Sequence, residues 1–180
     1  RSIVGLSLSS IICIITAIAI KIETQGSIIF RQRRVGKNGN LFTLYKFRSM
    51  VKNAESKTGA VWAKKNDSRV TKVGRFIRKY RIDELPQLWN VLKGDMTLIG
   101  PRPERPELTK KFEKNYSGFS NRLKVKPGLT GLAQIKGGYD IKPHQKLRLD
   151  LLYIENRCLR LDVYIALKTV RVMLCGHGAR

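Results

Sequence analysis

Nineteen consecutive residues, Ser2–Ile20, carry no charge and consist mainly of isoleucine, leucine and small side chains, between Arg1 and Lys21. As a helix at about 1.5 Å per residue the run reaches about 28 Å, close to the thickness of a bilayer's hydrocarbon core. A signal peptide is the first alternative, but no good cleavage site follows. A buried helix of a soluble domain is the second, and the lack of a polar stripe argues against it. Both flanks are basic, which fits a segment that returns to the cytosolic side. Ser7, Ser9 and Ser10 carry hydroxyls able to bond backbone carbonyls and bend a helix. Residues 1–22 are therefore read as embedded in the membrane and residues 23–180 as a cytosolic domain; whether the helix spans or returns is a separate question.

The rest is mixed α/β, mostly helical with a small β-hairpin. Ser27–Val35 and Leu41–Phe47 are rich in strand-forming residues and flank Gly36-Lys-Asn-Gly39, a good hairpin turn. Met50–Asp67 reads as a short helix and a loop. Val70–Tyr80 sets Val73, Phe76, Ile77 and Tyr80 opposite Lys72, Arg75 and Lys79, a pattern that suits core packing or a membrane surface equally. Further helices are expected over Glu107–Tyr116, Lys142–Glu155 and Leu161–Leu174. Tight turns at Pro127-Gly128 and Gly131 precede an irregular loop to Pro143.

Lysine and arginine number 36 against 13 acidic residues, a net charge of +23. Such a balance calls for an anionic partner: nucleic acid, anionic lipid or a phosphorylated substrate. No zinc-finger spacing, RRM-like aromatic motif or KH loop supports nucleic acid. Cys13, Cys158 and Cys175 are an odd set without CxxC spacing and read as reduced thiols.

The chemistry concentrates in Arg81–Pro103, RIDELPQLWNVLKGDMTLIGPRP. Asp83 and Glu84 stand at or just before a helix whose first turn accommodates Pro86 and which Gly94 can end. Leu85, Leu88, Trp89 and Leu92 form its apolar face. Adjacent helical residues point about 100° apart, so the two carboxylates take different roles. Capping is the ordinary explanation of Asp-Glu here. The company of Arg75, Arg78, Lys79, Arg81 and Arg102 changes it, because carboxylates among cations are held ionised and can act as nucleophiles or magnesium ligands. Lys46 and Arg48 close the second strand, as solvated ends or as phosphate contacts.

DELPQLWNVLKGDMTLIGPRPERPE, together with FRQRRVGKNGNLFTLYKFRSM (Phe30–Met50), VKPGLTGLAQIKG (Val125–Gly137) and LDLLYIEN (Leu149–Asn156), resembles the bacterial sugar transferases, the monotopic polyprenyl-phosphate phosphoglycosyl transferases. The resemblance covers nearly the whole chain. It implies transfer of a phosphosugar from a UDP-sugar to polyprenyl phosphate with release of UMP, the opening step of a bacterial surface glycan. The first carboxylate, Asp83, would be the nucleophile that forms an acyl-phosphate, with Glu84 beside it. Mg2+ would be held or positioned by Asp83 with Glu84, Asp150 or Asp162. Arg78 would serve the lipid phosphate and Arg102 a second phosphate, with Gln134 among the substrate contacts. The enzyme would lie on the cytosolic face of the inner membrane, on anionic lipid, with a homodimer left open. The family's N-terminal helix is re-entrant and breaks at a Ser-Pro pair, for which this chain has Ser10-Ile11.

Overall fold

The computed structural model describes residues 2–54, 67–137 and 141–175. Helix α1 (Ser2–Glu23) is unbroken across Ser10-Ile11, where the resemblance implies a break. Its described side chains divide sharply. Thr16 and Ile20 are buried, with Cys13 and Ala17 packed beside them, while Ile11, Ile14, Ile15, Ile18 and Ile22 form an exposed stripe. Among the described residues no helix is long and apolar enough to cross a membrane.

Strands β1 (Ile29–Val35) and β2 (Leu41–Phe47) make the expected antiparallel hairpin, in register from Ile29 opposite Phe47 to Val35 opposite Leu41. The intervening turn uses positive φ at Asn38 and Gly39, which asparagine and glycine tolerate best. Arg48, just past β2, donates to the carbonyls of Thr24 and Gln25 at 2.8 and 2.9 Å and so closes the C-terminal end of α1. Glu23 reaches the other way. Its carboxylate accepts from the amides of Lys72 and Val73 at 2.6 and 3.0 Å, at the start of α2 (Lys72–Lys79). Thr71 caps the same end by accepting from the Gly74 amide at 2.9 Å. Most of the helix and loop expected over Met50–Asp67 falls on 55–66, outside the described residues.

Helix α3 (Gln87–Leu92) reverses the usual polarity. Gln87 and Asn90 are 1% and 0% exposed, whereas Trp89 and Leu92 are 58% and 80% exposed. Of the apolar face expected here, Leu85 packs inward ahead of α3, while Leu88, Trp89 and Leu92 point away from the protein. Asn90 explains the inversion. Its amide donates to the Thr43 carbonyl at 2.7 Å and its oxygen accepts from the Tyr45 amide at 3.2 Å, pinning α3 to β2 through two polar contacts.

Sequence periodicity does not reveal two short parallel strands, β3 (Thr97–Ile99) and β4 (Gly128–Thr130), nor α5 (Leu132–Gly137), which stands where a loop was expected. Their approach requires glycine: a Cβ on Gly128 would lie 2.1 Å from the Gly100 nitrogen. Helices α4 (Pro106–Asn115), α6 (Pro143–Asn156) and α7 (Leu159–Cys175) match the remaining expectations within a few residues. Leu159, Val163, Leu167 and Val170 give α7 another exposed apolar stripe.

Two cores flank the site. Ile20, Phe47 and Ile77 form one, with Ile82 and Leu85 packed on it; Leu132, Tyr153 and Ile165 form the other, with Ile99 against it. The chain segments carrying Asp83 and Arg102 each start from one of these cores.

Candidate active site

Arg81 ends α2 in the left-handed region, at φ 56°, and turns the chain into a 3-10 turn over Ile82–Glu84. That conformation costs a non-glycine residue about 1–2 kcal/mol. It drives both carboxylates inward: Asp83 and Glu84 are each 5% exposed. The pair thus occupies its own turn ahead of α3, and neither residue caps that helix.

The cations are shared unequally. Lys46 donates to Glu84 Oε1 at 2.9 Å and stands 3.7 Å from Asp83 Oδ2. Arg102 sets Nη1 3.3 Å from Glu84 Oε2 and closes Nη2 onto Oε1, and Arg81 lies 3.9 Å from Oε2. Burial alone would raise the Glu84 carboxyl, but Arg102 and then Lys46 hold it far below the usual carboxylate range. Asp83 goes the other way. Burial raises it, and the charge of Glu84 adds to the rise, against the pull of Lys46, Arg78 and Arg102. The two carboxyls therefore shift in opposite directions, because Glu84 takes the closer contacts of Lys46 and the fork of Arg102. Neighbouring carboxyls with opposed shifts mark a division of labour.

Asp83 opens onto a cleft of about 950 Å³ whose lining includes eleven lysines and arginines and two acids, Asp83 and Glu104. A cleft of that sign and size suits a ligand with more than one phosphate. Arg78, Arg102, Lys46, Arg48 and Gln134 all line it, so the structure brings together the residues expected to bind substrate. Their engagements differ. Arg78 has a buried Nη1 without a hydrogen-bond partner among the described residues, an arrangement that favours an incoming acceptor. Both Nη groups of Arg48 hold the end of α1, which removes them as phosphate donors in this state. Gln134, on α5, donates to the Leu129 carbonyl at 3.0 Å.

Asp150 and Asp162 do not join Asp83. Asp150 is buried against Arg122, which donates from Nε and Nη2 at 2.9 and 2.6 Å. Asp162 accepts from the Tyr153 hydroxyl at 2.8 Å. Each is engaged within its own part of the fold, and among the described residues no group of three His, Cys, Asp or Glu could hold a metal ion. Of the three aspartates expected to hold Mg2+, the cleft lining includes Asp83 and neither of the other two. Mg2+ takes one or two carboxylates and completes its shell with water and substrate phosphate, so the donor chemistry of Asp83 in a phosphate-sized cleft fits it.

Sequence reading misses a second buried polar group at the cleft. Glu104 accepts from Lys146 on α6, and Arg34 stands 3.9 Å away. Only the Pro-Arg-Pro-Glu context of Glu104 could have drawn attention to it.

A family model described as bacterial sugar transferase matches residues 1–176. The chain is 46% identical to a UDP-N-acetylgalactosamine-undecaprenyl-phosphate N-acetylgalactosaminephosphotransferase of Aeromonas hydrophila, over 99% of this chain and 43% of that protein. It is 56% identical to a putative undecaprenyl-phosphate N-acetylgalactosaminyl 1-phosphate transferase of Bacillus subtilis, over 68% of each chain. Against an undecaprenyl-phosphate galactose phosphotransferase of Salmonella typhimurium it is 43% identical, over 86% of this chain and 35% of the relative. The chain thus spans less than half the length of the first and third of these relatives.

Proposed function

The chain belongs to the bacterial sugar transferase family, and from that membership we propose that it moves a sugar 1-phosphate from a UDP-sugar onto undecaprenyl phosphate, releasing UMP. The observation that carries the reading is the asymmetric pair: Glu84 neutralised by Lys46 and Arg102, and Asp83 beside it facing a cation-lined cleft.

In the proposed course, an Asp83 oxygen attacks the phosphorus that bears the sugar. The bond from that phosphorus to the bridging oxygen breaks, and UMP leaves with the electron pair. Undecaprenyl phosphate then attacks the same phosphorus, the bond to Asp83 breaks, and the carboxylate is restored. Phosphoryl transfer of this kind needs alignment and charge neutralisation more than proton transfer. Arg78 is placed to bind a phosphate, since guanidinium takes phosphate oxygens in pairs, and Arg102, its Nη groups on Glu84, adds positive charge at the cleft wall. Mg2+, held by Asp83 and substrate phosphates, would supply further neutralisation and favour the ionised carboxylate. Glu84 remains the fixed charge that keeps Lys46 and Arg102 in place.

The exposed apolar stripes of α1, α3 and α7 support a monotopic attachment, with α1 embedded from the cytosolic face of a bacterial inner membrane and leaving on the side it enters. One side of α1 packs on Phe47 and Ile77 while the other bares isoleucine, as expected of a helix lying between protein and lipid. A net charge of +23 favours anionic headgroups. The product would open the synthesis of a surface glycan. Incubating the protein with undecaprenyl phosphate, Mg2+ and a panel of UDP-sugars, and measuring UMP release, tests the reading. No release with any sugar overturns it.

A further inference from the structure

Helix α6 carries Lys146, Asp150 and Tyr153 at positions i, i+4 and i+7, on one face. All three engage the same short stretch, Ile99–Glu104, and do so in reversed order. Lys146 donates to the Glu104 carboxylate. Asp150 holds Arg122, whose Nη2 also donates to the Arg102 carbonyl at 2.7 Å. The Tyr153 hydroxyl shares its one proton between Asp162 at 2.8 Å and the Ile99 carbonyl at 3.4 Å. The held stretch reads Ile-Gly-Pro-Arg-Pro-Glu, and its two prolines have no N–H with which to fix it. Arg122 and Asp150 are almost wholly buried. There, desolvation largely offsets the attraction of an ion pair, so the pair adds little net stability while still fixing a geometry.

We infer that α6 is the template that sets Arg102: Lys146, Asp150 acting through Arg122, and Tyr153 hold the Ile99–Glu104 backbone where the Arg102 guanidinium meets both oxygens of Glu84. None of the three touches Asp83 or Glu84, so they are positioning residues. The two aspartates expected to bind metal belong to this template, Asp150 directly and Asp162 by orienting Tyr153. The inference rests on the proposed function, in which the Glu84–Arg102 contact borders the reacting centre.

The test is a double-mutant cycle. Asp150→Asn, Arg122→Lys and Tyr153→Phe are each made alone and with Arg102→Lys, and kcat, KM for the UDP-sugar and Tm are measured. Single variants should lose about ten- to a hundredfold in kcat, the scale of a misplacement near 1 Å, with KM little changed. In the Arg102→Lys background the same changes should cost nothing further. Losses that multiply in full, or a lowered Tm with kcat intact, would overturn the template. Tyr153→Phe removes only a hydroxyl and keeps the cycle decisive if the charge variants fail to fold. A second readout needs no turnover: the Arg102 guanidinium should give separate, slowly exchanging Nη signals by NMR in the wild type and averaged ones in Tyr153→Phe or Asp150→Asn. Unchanged Nη signals would also overturn it. A wild type that releases no UMP sinks the proposed reaction, and the NMR arm still decides the template.

Discussion

Arg102 meets Glu84 as a fork meets a carboxylate, with Nη1 3.3 Å from Oε2 while Nη2 closes on Oε1. Lysine at this position would keep the charge and lose one arm. A hydrogen bond to a charged group contributes about 1.5–3 kcal/mol, so Arg102→Lys should lower kcat/KM about ten- to a hundredfold. Steady-state UMP release measures it, and a variant within twofold of wild type would show that the fork has no part in turnover.

Lys46 stands 3.7 Å from Asp83, against 2.9 Å from Glu84. Asp83→Asn keeps the shape and removes the nucleophile, and should abolish turnover. The decisive measurement is mass spectrometry of protein quenched with UDP-sugar and Mg2+ before any undecaprenyl phosphate is added. A phosphosugar should be found on the peptide containing Asp83 and be absent from Asp83→Asn. Its attachment to Glu84 would exchange the two roles, and its absence under good controls would favour direct transfer between the substrates.

Arg78 has a buried nitrogen with no hydrogen-bond partner among the described residues. Arg78→Lys should raise KM for undecaprenyl phosphate about tenfold, as one charged hydrogen bond is lost, and leave KM for the UDP-sugar nearly unchanged. Equal effects on both substrates would place Arg78 at the donor instead.

Glu104 gives the fold an acid sensitivity. Burial alone would raise its carboxyl, but Lys146 foremost, then Arg122 and Arg34, bring it below the ordinary glutamate value of 4.5. A depressed carboxylate stabilises the fold in full above its unfolded value, and that stability is lost as pH falls through the folded one. Each unit of depression corresponds to about 1.4 kcal/mol. The wild-type Tm should therefore drop more steeply below about pH 4.5 than that of a Glu104→Gln/Lys146→Met double variant. Parallel Tm–pH curves would contradict the assignment.

The apolar stripe of α1 makes a topological prediction. Single cysteines replacing Arg1 and Lys21, in a background without the native cysteines, should both be shielded from a membrane-impermeant maleimide in intact cells and both react after lysis. Labelling of the Arg1 site from outside would mean that the helix spans.

How much of this was legible depended on the range of the forces involved. The hairpin follows from strand-forming residues around Gly36–Gly39, and two carboxyls in one turn follow from the adjacency of Asp83 and Glu84; both are local. Strands β3 and β4 are three residues each and pair across about thirty residues of sequence, so no window contains them. Periodicity found the apolar face of α3 but carries no information about which medium it meets; that was decided by Asn90 binding β2. Asp150 and Asp162 look like partners of Asp83 in a list of acids, and what they engage instead is seen only once Arg122 and Tyr153 are placed against them. Arg122 had no local signal at all.

Glu23 and Arg48 join α1 to the domain at a corner where one carboxylate grips the start of α2 and one guanidinium grips the end of α1. Such a corner is stiff. α1 cannot tilt without breaking these bonds or dragging α2, and α2 carries Arg78 into the cleft. With α1 seated in lipid as proposed, the two helices form a bell crank whose long arm rests on the bilayer and whose short arm ends at a phosphate-binding side chain.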